Sequence, residues 1–271
     1  MSRKVALVTG ASKGIGKAIS KELASRDFDL VLVARNLDEL ENVGKQIQAH
    51  HNVNVHVRAI DLSSDDAVLE LSHEIKKTFN YNLRILVNNA GYGMWGAFPK
   101  LDLKEQQAMM IVNMMAPVIL THTLLPVLAQ NGPSHILNVS SSTAYQALAT
   151  MSVYAATKSF ILQFSRSLRL ECKKLKIPVH VTCVSPGATK TNFIARADMG
   201  PLEKLSEKVG MTPEAVALFA VNAMFSQKAE VIPGLLNKAG ASFAKYLPKS
   251  VAESVASNLY IKKLKEKNNT F

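Results

Sequence analysis

A tyrosine and a lysine stand four residues apart in the segment Tyr154-Ala-Ala-Thr-Lys158. The surrounding pattern predicts a helix that starts near Val153, and this spacing places both side chains on one face of it, about one turn apart. A free tyrosine has a pKa near 10 and exchanges protons poorly at neutral pH. A neighbouring ammonium favours the phenolate and lowers that pKa. The pair therefore predicts acid–base chemistry, although the same spacing is common on solvated helix faces.

A serine and a glycine-rich loop follow two predicted strands. Ser141 comes thirteen residues before Tyr154, just after the strand predicted over His135–Val139. Because the carboxyl ends of strands face the ligand crevice in open α/β sheets, we expect Ser141 to lie near the tyrosine. The loop Thr9-Gly10-Ala-Ser-Lys-Gly14-Ile-Gly16 lies between a strand and a helix. Its glycines would let the backbone approach a pyrophosphate at the helix N-terminus, although an ordinary tight turn is the alternative.

Short apolar runs alternate with longer helical patterns along the chain. Continuous apolar strands separated by helices are typical of a parallel sheet covered on both faces. We therefore predict one domain over residues 1–271, a Rossmann-like α/β fold with a doubly wound, seven-stranded parallel sheet in three α/β/α layers. The predicted strands are Val5–Val8, Leu30–Ala34, Val53–Ala59, Ile85–Asn88, His135–Val139, Val179–Val184 and Glu230–Ile232, and the predicted helices start near Ile15, Leu37, Asp65, Lys104, Val153 and Thr212.

Composition narrows the partners that such a domain could have. The 271 residues include 32 lysines and arginines against 21 acidic residues, a formal charge of +11, which suggests an anionic partner. The basic residues are scattered rather than clustered with aromatic ones, so we expect no nucleic-acid binding. The histidines show no metal-ligand spacing. Cys172 and Cys183 fit buried thiols in a reducing cytoplasm, and neither a signal peptide nor a membrane-spanning run is predicted.

Together these motifs resemble the short-chain dehydrogenase/reductase family over about residues 3 to 192. The resemblance implies hydride transfer between a nicotinamide and a carbonyl or alcohol group. It implies that Tyr154 gives its proton to the carbonyl oxygen, and that Lys158 lowers the pKa of Tyr154 and holds the nicotinamide ribose. It also implies that Ser141 orients the carbonyl and that Asn113 anchors a proton relay. The motifs are Thr9-Gly10-x3-Gly14-x-Gly16, Asp61, Asn88-Asn89-Ala90-Gly91, Asn113, Ser141, Tyr154-x3-Lys158 and Pro186-Gly187 with Thr191.

The same resemblance implies a cofactor site along the strand ends, with Asp61 at the adenine and Thr191 at the carboxamide. The second strand is followed by Arg35, where an acidic residue would bind the ribose of NAD. Arg35 and Lys13 would instead flank a 2′-phosphate, which favours NADP(H) over NAD(H), although a solvated charge is the alternative. The implied contacts are Gly10, Ser12, Lys13, Gly14, Ile15, Gly16, Arg35, Asp61, Leu62, Asn89, Ala90, Gly91, Tyr154, Lys158, Pro186, Gly187, Thr189 and Thr191.

The segments that would line a substrate pocket are rich in apolar side chains. They predict a cleft suited to a hydrophobic ketone, an aldehyde or an acyl chain, although each of these side chains could equally belong to the core. Residues 192–211, rich in polar and small side chains, predict a lid over the cleft. The candidate substrate contacts are Met94, Trp95, Tyr145, Met151 and Phe193.

After Ile232 the chain departs from the common family ending. Residues 233–271 form a C-terminal extension, with a helix predicted over Ser250–Leu264 and a basic end at residues 262–267. This ending resembles the subgroup of long-chain 3-oxoacyl and steroid carbonyl reductases. The basic end could touch an anionic membrane surface, but a solvated helix end is the commoner outcome. The expected assembly is a homodimer, with the family's homotetramer as the alternative.

The sequence therefore predicts an NADPH-dependent carbonyl reductase that works in reverse as an alcohol dehydrogenase. A 3-oxoacyl-thioester reductase and a 3-hydroxy acid dehydrogenase stay open as alternatives. A small acid would need an arginine at the pocket, and Arg196 is the nearby candidate. An NADP-binding regulatory protein without turnover is the alternative from another class. Such proteins usually lose the tyrosine or the lysine, and both are present here.

Overall fold

Strands and helices alternate along most of the chain. The computed structural model describes residues 3–235, 237–240 and 249–268. The strands are β1 (Val5–Thr9), β2 (Asp29–Ala34), β3 (Val55–Ala59), β4 (Leu83–Asn88), β5 (Ser134–Val139), β6 (Val179–Val184) and β7 (Glu230–Val231). The helices are α1 (Gly14–Ala24), α2 (Leu37–Gln48), α3 (Asp65–Thr78), α4 (Leu103–Met110), α5 (Ala116–Gln130), α6 (Ser152–Lys174), α7 (Phe193–Arg196), α8 (Glu203–Val209), α9 (Pro213–Phe225) and α10 (Lys249–Asn268).

The strands form one parallel sheet in the order β3-β2-β1-β4-β5-β6-β7. Each strand alternates its side chains between two apolar layers. In β1, Ala6 and Val8 pack into the layer that α1, α2 and α9 cover, whereas Val5 and Leu7 pack into the layer that α3, α5 and α6 cover. Burying a side chain such as Leu7 completely stabilises the fold by about 2 kcal/mol. The predicted doubly wound α/β fold is confirmed.

Side-chain caps fix several of the helix starts. The Ser64 hydroxyl accepts a hydrogen bond from the Ala67 N–H at 3.3 Å, and the Thr212 hydroxyl accepts one from the Ala215 N–H at 3.2 Å. Such caps satisfy backbone N–H groups that have no partner in the first turn of a helix. The predicted helices near Asp65 and Thr212 are thereby confirmed.

One long apolar helix crosses the sheet on the α3 side. It runs from Leu103 to Gln130 through α4, a π-helical turn at Ile111–Met115 and α5. Its 28 residues are long and apolar enough to cross a membrane, which the sequence pattern did not indicate. More than half of its apolar stretch is buried, and it packs against α3 and the sheet. An all-round apolar helix of this kind is typical of a protein core.

The C-terminal extension begins at a short strand. β7 ends at Val231, one residue before the predicted end, and the following Pro233 has no N–H to offer a sheet ladder. The predicted helix Ser250–Leu264 is confirmed as α10, which extends further at both ends. Residues 236, 241–248 and 269–271 of the predicted extension lie outside the described residues.

Candidate active site

A cleft of about 1070 Å³ lies across the carboxyl ends of the strands. It is bounded by the loops after β1, β2, β3 and β4, by the start of α6 and by the segment that follows β6. Of the cofactor contacts predicted above, all line this cleft except Gly16. The fold therefore brings together residues that lie more than 150 positions apart in the sequence.

The glycine loop is held by the loop after β4. The Thr9 hydroxyl accepts hydrogen bonds from the N–H groups of Asn89 and Ala90, both at 3.0 Å. Gly10 has a φ of +64°, a conformation that side chains with a Cβ disfavour. Gly16 packs beneath the loop, where a Cβ would overlap the carbonyl oxygen of Gly10. Gly16 thus lies outside the cleft wall but lets the loop close against α1.

Tyr154 and Lys158 are both buried, with 6% and 5% of their surfaces exposed. They stand on α6, and Ser141 follows the end of β5 with an extended backbone. The Lys158 ammonium donates a hydrogen bond to the Val139 carbonyl at 3.1 Å. The Ser140 hydroxyl donates to the Lys158 carbonyl at 2.7 Å, which joins β5 to α6. Three of the four predicted catalytic side chains, those of Ser141, Tyr154 and Lys158, therefore meet at one wall of the cleft.

The protonation of this pair differs from the expectation. Burial raises the pKa of the Tyr154 phenol, against an opposing hydrogen bond from Ser141. Burial also lowers the pKa of Lys158 to about 8. The ammonium lies 5.8 Å from the centre of the Tyr154 ring, and desolvation has the largest influence on the pKa of the phenol. Tyr154 is therefore a neutral phenol at physiological pH, the form that can donate a proton.

Asn113 occupies the middle of the π-helical turn and is almost fully buried. Its amide donates to the Tyr92 carbonyl at 3.0 Å and to the Thr157 hydroxyl at 3.0 Å. Its side-chain oxygen accepts from the Tyr92 N–H at 3.1 Å. A Cβ at Gly91 would lie 3.0 Å from that oxygen and 3.1 Å from the Lys158 ammonium. Asn113 thus holds the backbone at residues 91 and 92 against α6.

Lys13 and Arg35 were predicted to flank a 2′-phosphate, and the structure gives these two cations different surroundings. Arg35 is exposed at the cleft and makes no ion pair with any residue the structure describes. The Lys13 ammonium lies 2.6 Å from a carboxylate oxygen of Glu39, which offsets its charge. Asp61 accepts a hydrogen bond from the Ser63 N–H at 3.0 Å, and this bond lowers the pKa of its carboxyl group. Of these two predicted cations, Arg35 is therefore the one whose charge no described carboxylate offsets through an ion pair.

Three of the five predicted substrate contacts lie around Tyr154. Met151 and Phe193 line the cleft, and the Phe193 ring centre is 5.3 Å from that of Tyr154. Met94 lines a small adjoining cavity that also touches Tyr154. These side chains make the catalytic wall apolar on its substrate side.

The other two predicted substrate contacts, Trp95 and Tyr145, do not line the cleft. Trp95 is only 3% exposed and packs in an apolar cluster with Met109 and Leu148. Tyr145 points toward β7, where its hydroxyl donates to the carboxylate of Glu230. Trp95 therefore fills the core, and Tyr145 links the turn after Ser141 to β7.

The segment predicted as a lid packs over the cleft through apolar side chains. Ala197, Met199 and Leu202 are buried in the same cluster as Tyr154. The Arg196 guanidinium lies 4.0 Å above the Tyr92 ring centre and borders the cleft. Such a cation–π contact stabilises the position of the guanidinium.

One further residue at the site was missed by sequence reasoning. Tyr260 of α10 lines the cleft and packs in the apolar cluster that contains Tyr154. The signal for it was present, because Tyr260 and Leu264 are four residues apart and share one face of α10. The sequence alone does not show that this face of α10 packs at the cleft rather than on another surface.

Comparison with known proteins identifies the family. The family model for short chain dehydrogenases matches residues 4–201, so the chain belongs to this family. An uncharacterised oxidoreductase of Staphylococcus saprophyticus is 32% identical over 205 residues, which cover 76% of this chain and 86% of the relative. An NADP-dependent 3-hydroxy acid dehydrogenase of Schizosaccharomyces pombe is 29% identical over 240 residues, which cover 86% of this chain and 91% of the relative.

A solved structure gives the same fold. The short-chain dehydrogenase from Sphingobium yanoikuyae, solved in complex with NADPH, superposes with a TM-score of 0.78 at 26% sequence identity. The match covers 90% of this chain and 96% of that structure. The protein is therefore an oxidoreductase of the short-chain dehydrogenase family with a Rossmann-like fold.

Proposed function

We propose that this protein is an NADPH-dependent carbonyl reductase. It would reduce a hydrophobic ketone or aldehyde and, in reverse, oxidise a secondary alcohol. The observation that carries the proposal is the buried, neutral Tyr154 beside Ser141 and Lys158, on a wall whose substrate side is apolar. An apolar pocket with a few convergent polar groups is typical of a site for a small organic substrate.

The residues at the cleft fit the nicotinamide dinucleotide that the family implies. Gly10 exposes backbone at the loop before α1, where a Cβ would crowd Asn89 and Ala90. A helix N-terminus of this kind favours a pyrophosphate. The unpaired Arg35 supports NADP(H) over NAD(H), because a guanidinium can bind a 2′-phosphate with two parallel hydrogen bonds. The NADPH complex and the NADP-dependent relative described above agree with this preference.

Each side chain then has a defined task. A nicotinamide dinucleotide, when bound, would supply or accept the hydride. The Ser141 hydroxyl orients the substrate carbonyl, and the Tyr154 phenol donates its proton to the carbonyl oxygen as negative charge develops there. The Lys158 ammonium holds the nicotinamide ribose. Met151 and Phe193 exclude water from the reacting atoms.

Replacement of Tyr154 by phenylalanine tests the proposal. Because general acid catalysis contributes about 10²- to 10⁴-fold, Tyr154→Phe is expected to lower carbonyl-dependent NADPH oxidation by at least about 100-fold. NADPH affinity, followed by fluorescence titration, should stay nearly unchanged. Tyr81→Phe is the matched control, because that side chain is 78% exposed and lies outside the cleft. Appreciable turnover by Tyr154→Phe would refute Tyr154 as the proton donor.

A 3-hydroxy acid dehydrogenase is the second candidate. Arg196 borders the cleft and makes no ion pair with any described residue, so its guanidinium is available to a carboxylate. The relative from Schizosaccharomyces pombe carries this activity in its name. A spectrophotometric panel of ketones, aldehydes, 3-oxoacyl thioesters and 3-hydroxy acids with both cofactors separates the candidates. Oxidation of a 3-hydroxy acid with NADP, faster than that of its methyl ester, would favour this second candidate.

The proposal extends to assembly and location. Exposed apolar side chains on α6 support a homodimer or homotetramer, since Phe160 and Leu170 are 39% and 61% exposed. The free, buried thiols of Cys172 and Cys183 are compatible with the cytoplasm. Light scattering coupled to size-exclusion chromatography tests the assembly, and a mass of 29.5 kDa for the eluted particle would contradict it.

A further inference from the structure

α10 is fixed against the substrate end of the cleft. It packs on the turn Gly200–Leu202, and the Ala149 N–H donates a hydrogen bond to the Ser257 hydroxyl at 3.2 Å. One turn further along, Tyr260 and Leu264 pack into the apolar cluster with Tyr154. The helix therefore presents Tyr260 to the wall that carries the reacting tyrosine.

The Tyr260 hydroxyl differs from those of the other tyrosines around the site. The Tyr92 hydroxyl donates to the Glu105 carbonyl at 3.3 Å, and the Tyr145 hydroxyl donates to Glu230. The Tyr260 hydroxyl makes no hydrogen bond to any residue within the described part of the chain. Most of the Tyr260 side chain is withdrawn from solvent, and burial raises the pKa of its phenol. It is thus a neutral donor without a protein partner at the cleft.

A phenol that lines the apolar side of a cleft and has no partner among the described residues can donate a hydrogen bond to a ligand bound there. A substrate oxygen in this cleft can accept the hydrogen bond from the Tyr260 hydroxyl. Resting on the carbonyl reductase proposed above, we propose that Tyr260 is a specificity-determining residue that donates a hydrogen bond to a second oxygen of the substrate. The reacting carbonyl oxygen binds Tyr154 and Ser141, and a hydroxyl or oxo oxygen elsewhere on the substrate binds Tyr260.

This arrangement defines a substrate class. The apolar wall accepts a hydrocarbon body, and the two hydroxyl donors that line the cleft, Tyr154 and Tyr260, match two oxygens on one molecule. Hydroxyketones, diketones and 3-oxoacyl compounds carry two such oxygens, and simple ketones do not. Sites that hydrogen-bond a substrate oxygen discriminate strongly against analogues that lack it, because the protein group is then left unpaired.

Tyr260→Phe tests the proposal, because it removes one oxygen atom and keeps the aromatic wall. The substrates are pairs with the same carbon skeleton: a hydrophobic monoketone and the corresponding hydroxyketone or diketone. The wild-type protein should prefer the two-oxygen member of a pair by about tenfold in kcat/KM, the effect of one hydrogen bond of about 1.4 kcal/mol. Tyr260→Phe should bring the ratio of the two kcat/KM values close to one, because kcat/KM for the two-oxygen member should fall about tenfold further than kcat/KM for the monoketone. Ile261→Ala is the matched control, since this neighbour on α10 is exposed and lies outside the cleft.

Several results would overturn the assignment. An equal loss on both members of each pair, with a lower melting temperature, would show that Tyr260 only supports the fold. Unchanged selectivity, or a wild-type preference for monoketones, would show that its hydroxyl meets no substrate oxygen. Failure of the proposed function gives a different result: neither member of any pair is reduced, and Tyr154→Phe has no effect.

Discussion

The two ends of the cleft are built in different ways. The cofactor end consists of short loops that directly follow β1, β2, β3 and β4, and in the first of them Gly10 and Gly14 have positive φ. The substrate end is assembled from side chains of segments far apart in the chain, represented by Met151, Phe193 and Tyr260. The first end depends on local conformation and the second on how distant segments pack. The comparison teaches that one fold can keep a fixed cofactor site while its substrate site varies with a few packed side chains.

Substitutions at the two ends of the cleft should change different measured quantities. Substitutions at the cofactor end should change cofactor affinity by the same factor whatever the substrate. Substitutions at the substrate end, such as Tyr260→Phe, should change selectivity between substrates and leave cofactor affinity intact. A single variant that changed both would break the separation.

The largest effect is expected from Gly16→Ala. The added Cβ would overlap the Gly10 carbonyl oxygen, so the loop before α1 must move away from the strand. NADPH affinity should fall by more than about 100-fold, since a displacement of about 1 Å at a site can cost that much. Isothermal titration measures it. Gly240→Ala is the control, because a Cβ there has nothing within 4 Å. A Gly16→Ala protein that binds NADPH normally would show that the close packing is not required.

Arg35→Ala should have the next largest effect. A charge-assisted hydrogen bond contributes about 1.5–3 kcal/mol, so NADPH affinity should fall about 10- to 100-fold. NADH, which lacks the 2′-phosphate, should lose little. Lys45→Ala, an exposed cation on α2 outside the cleft, should change neither affinity. Equal losses for both cofactors in a fluorescence titration would refute Arg35 as a 2′-phosphate ligand.

A smaller effect is expected from pH, and it reports on Lys158, which stands where the two ends of the cleft meet. Reduction should depend little on pH near neutrality. Its pKa of about 8 means that the ammonium is charged below pH 8 and neutral above it. Tyr154, with its raised pKa, keeps its proton over this range. With NADPH below saturation, kcat/KM for NADPH should be level from pH 6 to about 7.5 and fall about tenfold by pH 9, because the neutral amine holds the ribose less strongly than the ammonium does.

Lys158→Arg sharpens that test. A guanidinium stays charged throughout the range, so the alkaline decline should disappear even if the rate itself is lower. A wild-type profile that stays level to pH 10 would contradict the assignment of the decline to Lys158.

Almost all of the residues that the sequence assigns to the cofactor end line the cleft, for a physical reason. Glycines and strand ends act through local backbone geometry, which a short motif specifies. The charge of Lys13 is the exception, because its pairing with Glu39 joins two segments that only the fold brings together. The raised pKa of Tyr154 was likewise hidden, since burial depends on the packing around α6 rather than on the spacing to Lys158.

The substrate end was predicted less well because aromatic and sulfur-containing side chains serve cores and pockets alike. Trp95 and Tyr145 have the same chemistry as true pocket residues and differ from them only in direction. Tyr260 was missed because the helix that carries it is far from the family's motifs in the sequence.

The π-helical turn around Asn113 has a consequence for insertions and deletions. Such a turn holds one residue more than an α-helical turn, and it is spliced here into an otherwise regular helix from Leu103 to Gln130. Loss of one codon between positions 111 and 115 would restore regular α-helical winding with little rotation of the flanking segments, because four α-helical residues turn the chain about as far as the five residues of the π-helical turn. The reading frame and the helix would both survive, yet Asn113 would lose the π-helical backbone from which its amide reaches both Tyr92 and Thr157. In this protein the length of one helix, counted in single residues, determines how Asn113 joins Tyr92 to Thr157 beside the cleft.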